Sequence, residues 1–272
     1  MNILMSGNDH IYPGMELAIY STLMHNKNIN WYIFTMDIET DMGNGEIMVF
    51  HGLDKWQKNK LRKIVSYLDD NSKITFIDMQ DMYIKYLAGN INEASPFTPY
   101  ATLRLLADVA LPDINHVLYL DCDTAIQGDI SGIIDFLKSG KDYYAYVCPD
   151  ACGYEGEMVS GVMLMDLDRI RKDGFLGRAR ENIHKNLYKY PDQDALRDAG
   201  KPGMLPETYS YLYKLELCPY KPLILHFTNK LSPKIYGDEG RTVFYRRYPF
   251  LDYVKNGVEL IDTINFNIKE DI

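Results

Sequence analysis

The sequence predicts an α/β protein built on a mostly parallel central sheet, and three observations carry that expectation. Short apolar, β-branched or aromatic runs alternate with helical patterns over the first 150 residues, the rhythm of successive strand–helix–strand units. A compact apolar run, His116 to Leu120, passes directly into Asp121 and Asp123, an acidic pair at a strand's carboxyl end, the edge where open α/β sheets bind ligands. The composition, 46% hydrophobic and 25% charged over 272 residues, is that of a globular chain able to bury a large core.

The elements follow in order. Ile3 to Met5 reads as the first strand, followed by the loop SGNDHIYPG and a helix from about Pro13 to Met24. Trp31 to Met36 is the second strand. Asp54 is placed to cap a helix running to about Leu68, because Trp56, Leu61, Ile64, Val65 and Leu68 recur at helical spacing. Lys73 to Ile77 is the next strand. The segment after Pro99 carries Leu103, Leu105, Leu106 and Val109 and reads as a helix that Pro112 ends. After the strand 116–120, Tyr143 to Cys148 and Val162 to Met165 read as strands, Phe175 to Leu187 as a helix and Leu223 to Phe227 as a strand. No repeat, low-complexity tract or Pro/Ser-rich linker divides the chain, so one domain over 1–272 is expected.

Charge narrows the function classes. With 38 Asp and Glu against 29 Lys and Arg, the net charge is −9, a field that repels nucleic acid. Such a chain needs a local device to hold a diphosphate, and a divalent cation is the usual one. The first twenty residues lack a basic n-region and a long apolar stretch. No segment approaches the roughly 18 continuous apolar residues of a membrane span, so a cytoplasmic location is expected. Cys122, Cys148, Cys152 and Cys218 form no C-x-x-C pair and read as free thiols.

The segment LYLDCDTAIQGDI carries the sharpest chemistry. Side chains alternate along a strand with period two, so Asp121 and Asp123 leave its end on one side and both reach one ion. Two like charges held close together are costly, and a divalent cation removes that cost. The bland alternative is one Asp capping the loop and the other solvated. A haloacid-dehalogenase-like phosphatase also follows a strand with D-x-D, but its Thr lies four residues after the first Asp, whereas Thr124 lies three after Asp121.

Read with its neighbours, this motif resembles those of the family 8 glycosyltransferases. NILMSGNDHIYPG, YATLRLL, HVLYLDCDT, VSGVMLMDL followed by PDQDAL, and LILHFTNK match in order, from Asn2 to Lys230. The resemblance implies a GT-A fold: a single Rossmann-like domain with a nucleotide-binding half of about 1–125, a sugar and acceptor half of about 126–240, and a C-terminal helical or loop extension of about 241–272. It implies retaining, metal-dependent transfer of a hexose from UDP-glucose or UDP-galactose to a saccharide or glycoconjugate acceptor. A non-catalytic nucleotide-sugar-binding protein is the alternative from another class.

By the same resemblance Asp121, Asp123 and His226 hold the metal, Mn²⁺ by the mixed oxygen and nitrogen shell with Mg²⁺ also compatible. Ser6, Gly7 and Asn8 lie near the base and His10 near the ribose, with an ordinary capped turn as the plain alternative. The family more often has Asp at Asn8 and Asn-Tyr at His10-Ile11. Arg104, in an otherwise apolar run, needs a carboxylate or phosphate partner; it either serves the donor site or forms a structural ion pair with Asp108 or a distant acid. Lys230 and Lys234 are the candidates for the diphosphate. Ser160 and Gly161 approach the sugar, with Val159 where the family commonly has Asn. Asp192 binds sugar hydroxyls and Gln193 sits beside the anomeric carbon, while Asp192 after Pro191 also suits a helix cap. The segment VFYRRYPFLDYV from Val243 mixes aromatics with Arg246 and Arg247, and is expected to pack on the body rather than anchor to a membrane.

Overall fold

The computed structural model describes residues 1–41, 47–95, 97–139, 145–149, 158–200, 203–212 and 222–226. The C-terminal extension, Lys230 and Lys234 lie outside these residues. The strands are β1 (Asn2–Ser6), β2 (Asn30–Thr35), β3 (Ile38–Asp41), β4 (Ile47–Phe50), β5 (Lys73–Asp78), β6 (His116–Leu120), β7 (Thr124–Ile126), β8 (Ala145–Pro149), β9 (Met158–Asp166), β10 (Gly203–Met204), β11 (Tyr211–Leu212) and β12 (Ile224–His226). The α-helices are α1 (Tyr12–His25), α2 (Lys55–Leu68), α3 (Gln80–Tyr86), α4 (Pro99–Thr102), α5 (Ala107–Ala110), α6 (Leu167–Asp173), α7 (Phe175–Lys185) and α8 (Pro191–Ala199).

Seven strands form the central sheet in the order β10-β8-β9-β6-β1-β2-β5. The pairs β6–β1, β1–β2, β2–β5 and β10–β8 are parallel, and β9 runs antiparallel to both β6 and β8. The chain therefore winds from β1 through β2 to β5, then returns to place β6 on the other side of β1. That reversal makes the carboxyl ends of β1 and β6 the switch point where such sheets bind ligands. Alternation along β1 explains the layering: Ile3 and Met5 enter the core shared with Met15, Leu61 and Ile64, while Leu4 enters the opposite core with Phe34, Tyr119 and Leu105.

Helix α2 begins as its sequence predicts. Asp54 accepts the Gln57 N–H at 2.7 Å, and the Gln57 side chain accepts the Asp54 N–H at 3.0 Å, a reciprocal capping box. The single helix expected after Pro99 is interrupted, because a 3₁₀ turn, Leu103–Leu106, separates α4 from α5. Within that turn the Arg104 side chain donates from Nε to the Ala101 carbonyl at 2.8 Å. The helix expected to reach Leu187 stops at Lys185, where the Asn186 N–H closes the last turn on the Asn182 carbonyl.

Two smaller sheets decide the site. β3 and β4 form an antiparallel hairpin, a pair the sequence pattern did not predict. β7 and β12 pair antiparallel, with His226 opposite Thr124. This register delivers an imidazole from residue 226 to the strand that begins immediately after Asp123. Among the described residues no helix is long and apolar enough to cross a membrane.

Candidate metal and sugar-nucleotide site

Asp121 immediately follows β6, Asp123 precedes β7 and His226 ends β12, and one ligand atom from each lies within 4.8 Å of the others. His226 Nε2 is 3.2 Å from Asp123 Oδ1 and 3.5 Å from Asp121 Oδ2. Burial alone would lower the imidazole's pKa, but the carboxylates of Asp123 and Asp121 outweigh it and raise it above the ordinary value. His226 Nδ1 is buried without a hydrogen-bond partner among the described residues. Two carboxylates and an imidazole converging on one point form the mixed shell that suits Mn²⁺ or Mg²⁺, so the residues present fit a divalent cation.

Gly161 makes the convergence sterically feasible. Its carbonyl accepts the Asp121 N–H at 2.8 Å, which brings β9 hard against the cluster. A Cβ at this position would lie 2.2 Å from His226 Cε1 and 2.6 Å from Asp121 Oδ2. Only a residue without a side chain fits.

Arg104 links this cluster to Ser160 and Asp192 across the cleft. Its guanidinium donates to Asp121 Oδ1 at 2.7 Å and to the Ser160 carbonyl at 2.7 Å, and its Nε lies 3.2 Å from Asp192 Oδ2. Burial disfavours the cation, yet the Asp121 and Asp192 carboxylates hold it charged. The pairing with Asp108 is not made. Asp108 is bound by Arg180 through two bonds of 2.6 and 3.1 Å, a separate structural pair between α5 and α7. The helix cap at Asp192 is not made either: Tyr190 is the cap residue, and its N–H goes to Asp194 Oδ2 at 2.9 Å. Asp192 Oδ2 instead accepts the Ser160 hydroxyl at 2.8 Å, and Gln193 Oε1 faces the Ser160 N–H at 3.3 Å.

Tyr119 is a member that sequence reasoning missed. Its hydroxyl donates to Asp121 Oδ1 at 2.9 Å, so the Ser6 hydroxyl, 2.8 Å away, donates in turn to Tyr119. The Arg104 guanidinium lies 4.3 Å from the Tyr119 ring centre. The available signal was a polar-tipped aromatic two residues before Asp121, on the same side of the strand.

These groups line one cleft of about 840 Å³, together with Gly7, Asn8, His10 and Val159. Every proposed site residue inside the described segments reaches it. Residues 2–230 match the profile of Glycosyl transferase family 8.

The chain belongs to glycosyl transferase family 8. Glycosyltransferase GlyF of Streptococcus pneumoniae serotype 4 is 26% identical over 223 residues, 79% of this chain and 50% of GlyF, so the chain spans about half the length of that relative. A structure of galactosyltransferase LgtC with donor and acceptor sugar analogues has a TM-score of 0.67 over 97% of this chain and 96% of LgtC, at 14% identity. The apo form of glycosyltransferase GlyE from Streptococcus pneumoniae gives 0.63 over 100% of this chain and 63% of GlyE, at 18% identity. The family 8 chain shares the GT-A fold with LgtC and GlyE. Membership sets aside the haloacid-dehalogenase alternative.

Proposed function

We propose that this family 8 protein transfers a hexose, glucose or galactose, from a UDP-sugar to a saccharide or glycoconjugate acceptor, with retention and with a divalent cation. The observation that carries the reading is the convergence of Asp121, Asp123 and His226 in the same cleft as Asp192 and Gln193. When bound there, the cation offsets the negative charge of a diphosphate leaving group.

The protein's own groups divide the remaining work. Arg104 and Tyr119 fix Asp121, which keeps a metal-binding carboxylate oriented before substrate arrives. Ser160 and Arg104 hold Asp192 by one oxygen, and its other oxygen is offered to sugar hydroxyls. Gln193 is uncharged and a weak nucleophile, so it lends electrostatic support to an oxocarbenium-like sugar rather than forming a covalent intermediate. In the transfer the bond from the anomeric carbon to the phosphate oxygen breaks and a bond to the acceptor oxygen forms on the same face. The acceptor's proton passes to the departing diphosphate.

Measuring UDP release from UDP-glucose and UDP-galactose, before and after EDTA and after restoring Mn²⁺, tests the reading. Release that requires the cation is expected; binding of both donors without release or transfer under any condition would overturn it in favour of a non-catalytic binding protein.

A further inference from the structure

The strand order arranges chemistry along the cleft. Moving across the carboxyl edge of the sheet, β9 presents Ser160 and Gly161, β6 presents Asp121, β1 presents Ser6 followed by Gly7 and Asn8, and β2 leads into the β3–β4 hairpin. Adjacent strands are about 4.8 Å apart, so the sugar-facing groups and the hairpin stand at opposite ends of the row. With Asp192 and Gln193 at the sugar end and the acidic cluster beside them, the end left for a nucleobase is where β1 and β2 emerge.

A base needs a flat or apolar surface to lie against, and the loop Gly7 to Ile11 contains no large aromatic. The hairpin has what the loop lacks. Met48, Phe50 and His51 line the cleft on the same side as Asn8 to Ile11. The hairpin's exit is fastened to that loop by the Asp9 N–H, which donates to the His51 carbonyl at 3.2 Å. Phe50 is held edge-on to Tyr100 with ring centres 6.2 Å apart, and the Tyr100 hydroxyl is anchored on the Met36 carbonyl at 2.6 Å. Gly52 closes the hairpin onto the end of β2, where a Cβ would lie 2.8 Å from the Met36 carbonyl oxygen. The wall is fixed in place although much of its apolar surface is open: Met48 is 40% exposed.

We infer that β4 and His51 form the nucleobase subsite, with the base of a nucleoside diphosphate lying between the loop 7–11 and the wall of Met48 and Phe50. The inference rests on the nucleotide-sugar reading above and names a determinant of its nucleotide end.

Calorimetric titration of the full chain with UDP, UMP and inorganic pyrophosphate, each with saturating Mn²⁺, tests it. Phe50→Ala should weaken UDP and UMP about tenfold, the scale of one lost stacking contact, and leave pyrophosphate within about twofold of wild type. Phe50→Tyr should restore UDP affinity. Met48→Ser, at a position already open to water, tests the same wall without removing a packed ring and should weaken UDP about threefold. Ile47→Ser, 63% exposed and outside the cleft, should behave as wild type. UDP affinity unchanged in both Phe50→Ala and Met48→Ser, or UDP and pyrophosphate weakening in parallel, overturns the subsite and leaves the donor reading standing. A wild-type chain that binds neither UDP nor UMP overturns both.

Discussion

The two edges of the parallel sheet are built from the same strands and treat polar groups in opposite ways. At the amino edge they close on one another: the Asn28 N–H and the Ser72 hydroxyl both donate to Asp69 Oδ2, at 2.7 and 2.5 Å, and the Ile29 N–H donates to Ser72 Oγ at 2.8 Å. Asn30 reaches Asn2 Oδ1 at 3.1 Å, and Asn2 reaches the His116 carbonyl at 3.0 Å, stitching three strand starts together. At the carboxyl edge Asp121, Asp123 and Asp192 crowd around Arg104 and His226, and the imidazole keeps a buried nitrogen without a partner among the described residues. Like charges gathered this way are unfavourable unless something else joins them. One edge is finished as it stands, and the other has the composition of a site awaiting a cation and its ligand.

Breaking the carboxyl edge should therefore remove activity before it removes stability. Asp123→Asn is expected to have the largest effect, lowering metal-dependent UDP release by on the order of 10³-fold. Its thermal midpoint in EDTA should change little, because relief of repulsion with Asp121 offsets the lost attraction to His226. A variant that keeps full release would overturn the assignment of this residue to the metal. Gly161→Ala comes next, because its methyl meets His226 and Asp121 at distances no relaxed structure tolerates. The Mn²⁺ concentration giving half-maximal release should rise by at least about tenfold, readable by metal titration at fixed donor.

Two buried arginines sharpen the contrast. Arg104→Lys keeps the charge but loses the fork that joins Asp121, Ser160 and Asp192, so kcat/KM should fall roughly tenfold or more. Arg180→Lys disturbs the pair with Asp108, which lies away from the cleft. That variant should lose about 1–2 kcal/mol of stability in urea titration while its kcat/KM stays within twofold. Equal activity losses in the two variants would show that Arg104 acts only through the fold.

What the sequence made legible follows the same division between local and distant causes. β1, β2, β5 and β6 were readable as short apolar, β-branched or aromatic runs, α1 as the apolar segment that follows a loop and Pro13, and α2 from its helical spacing and its own cap. Asp121 and Asp123 were readable because their spacing alone sends them to one side. Tyr119 was not, since an aromatic in an apolar strand looks like packing until Asp121 is found at its hydroxyl. The partner of Arg104 could not be chosen from sequence because Asp108 lies only four residues away, and only the fold brings Arg180 to claim it. The hairpin escaped notice because Ile47 to Phe50 is an unbroken apolar run with no alternation to read, and the fold leaves Ile47, Met48 and Val49 exposed rather than in a core. His226 depends on a register with Thr124 set across a hundred residues, and only the family resemblance pointed to it.

The smallest expected effect lies at the finished edge and concerns pH. The Ser72 hydroxyl and the Asn28 N–H hold the Asp69 carboxyl below its ordinary pKa, so the folded protein favours the ionised form more than the unfolded chain does. The stability this contributes is fully present above the unfolded value of about 3.9, and is lost as pH falls through the lower folded value. Asp69→Asn should therefore lower the thermal midpoint slightly at neutral pH, and the gap to wild type should close between about pH 4 and 2. Because Asp69 is largely solvated, screening keeps the effect small, and UDP release should be unaffected. A gap that persists at pH 2 would mean that the asparagine disturbs the packing of the strand starts rather than removing a charge, and the amino edge would then be less self-contained than its hydrogen bonds make it.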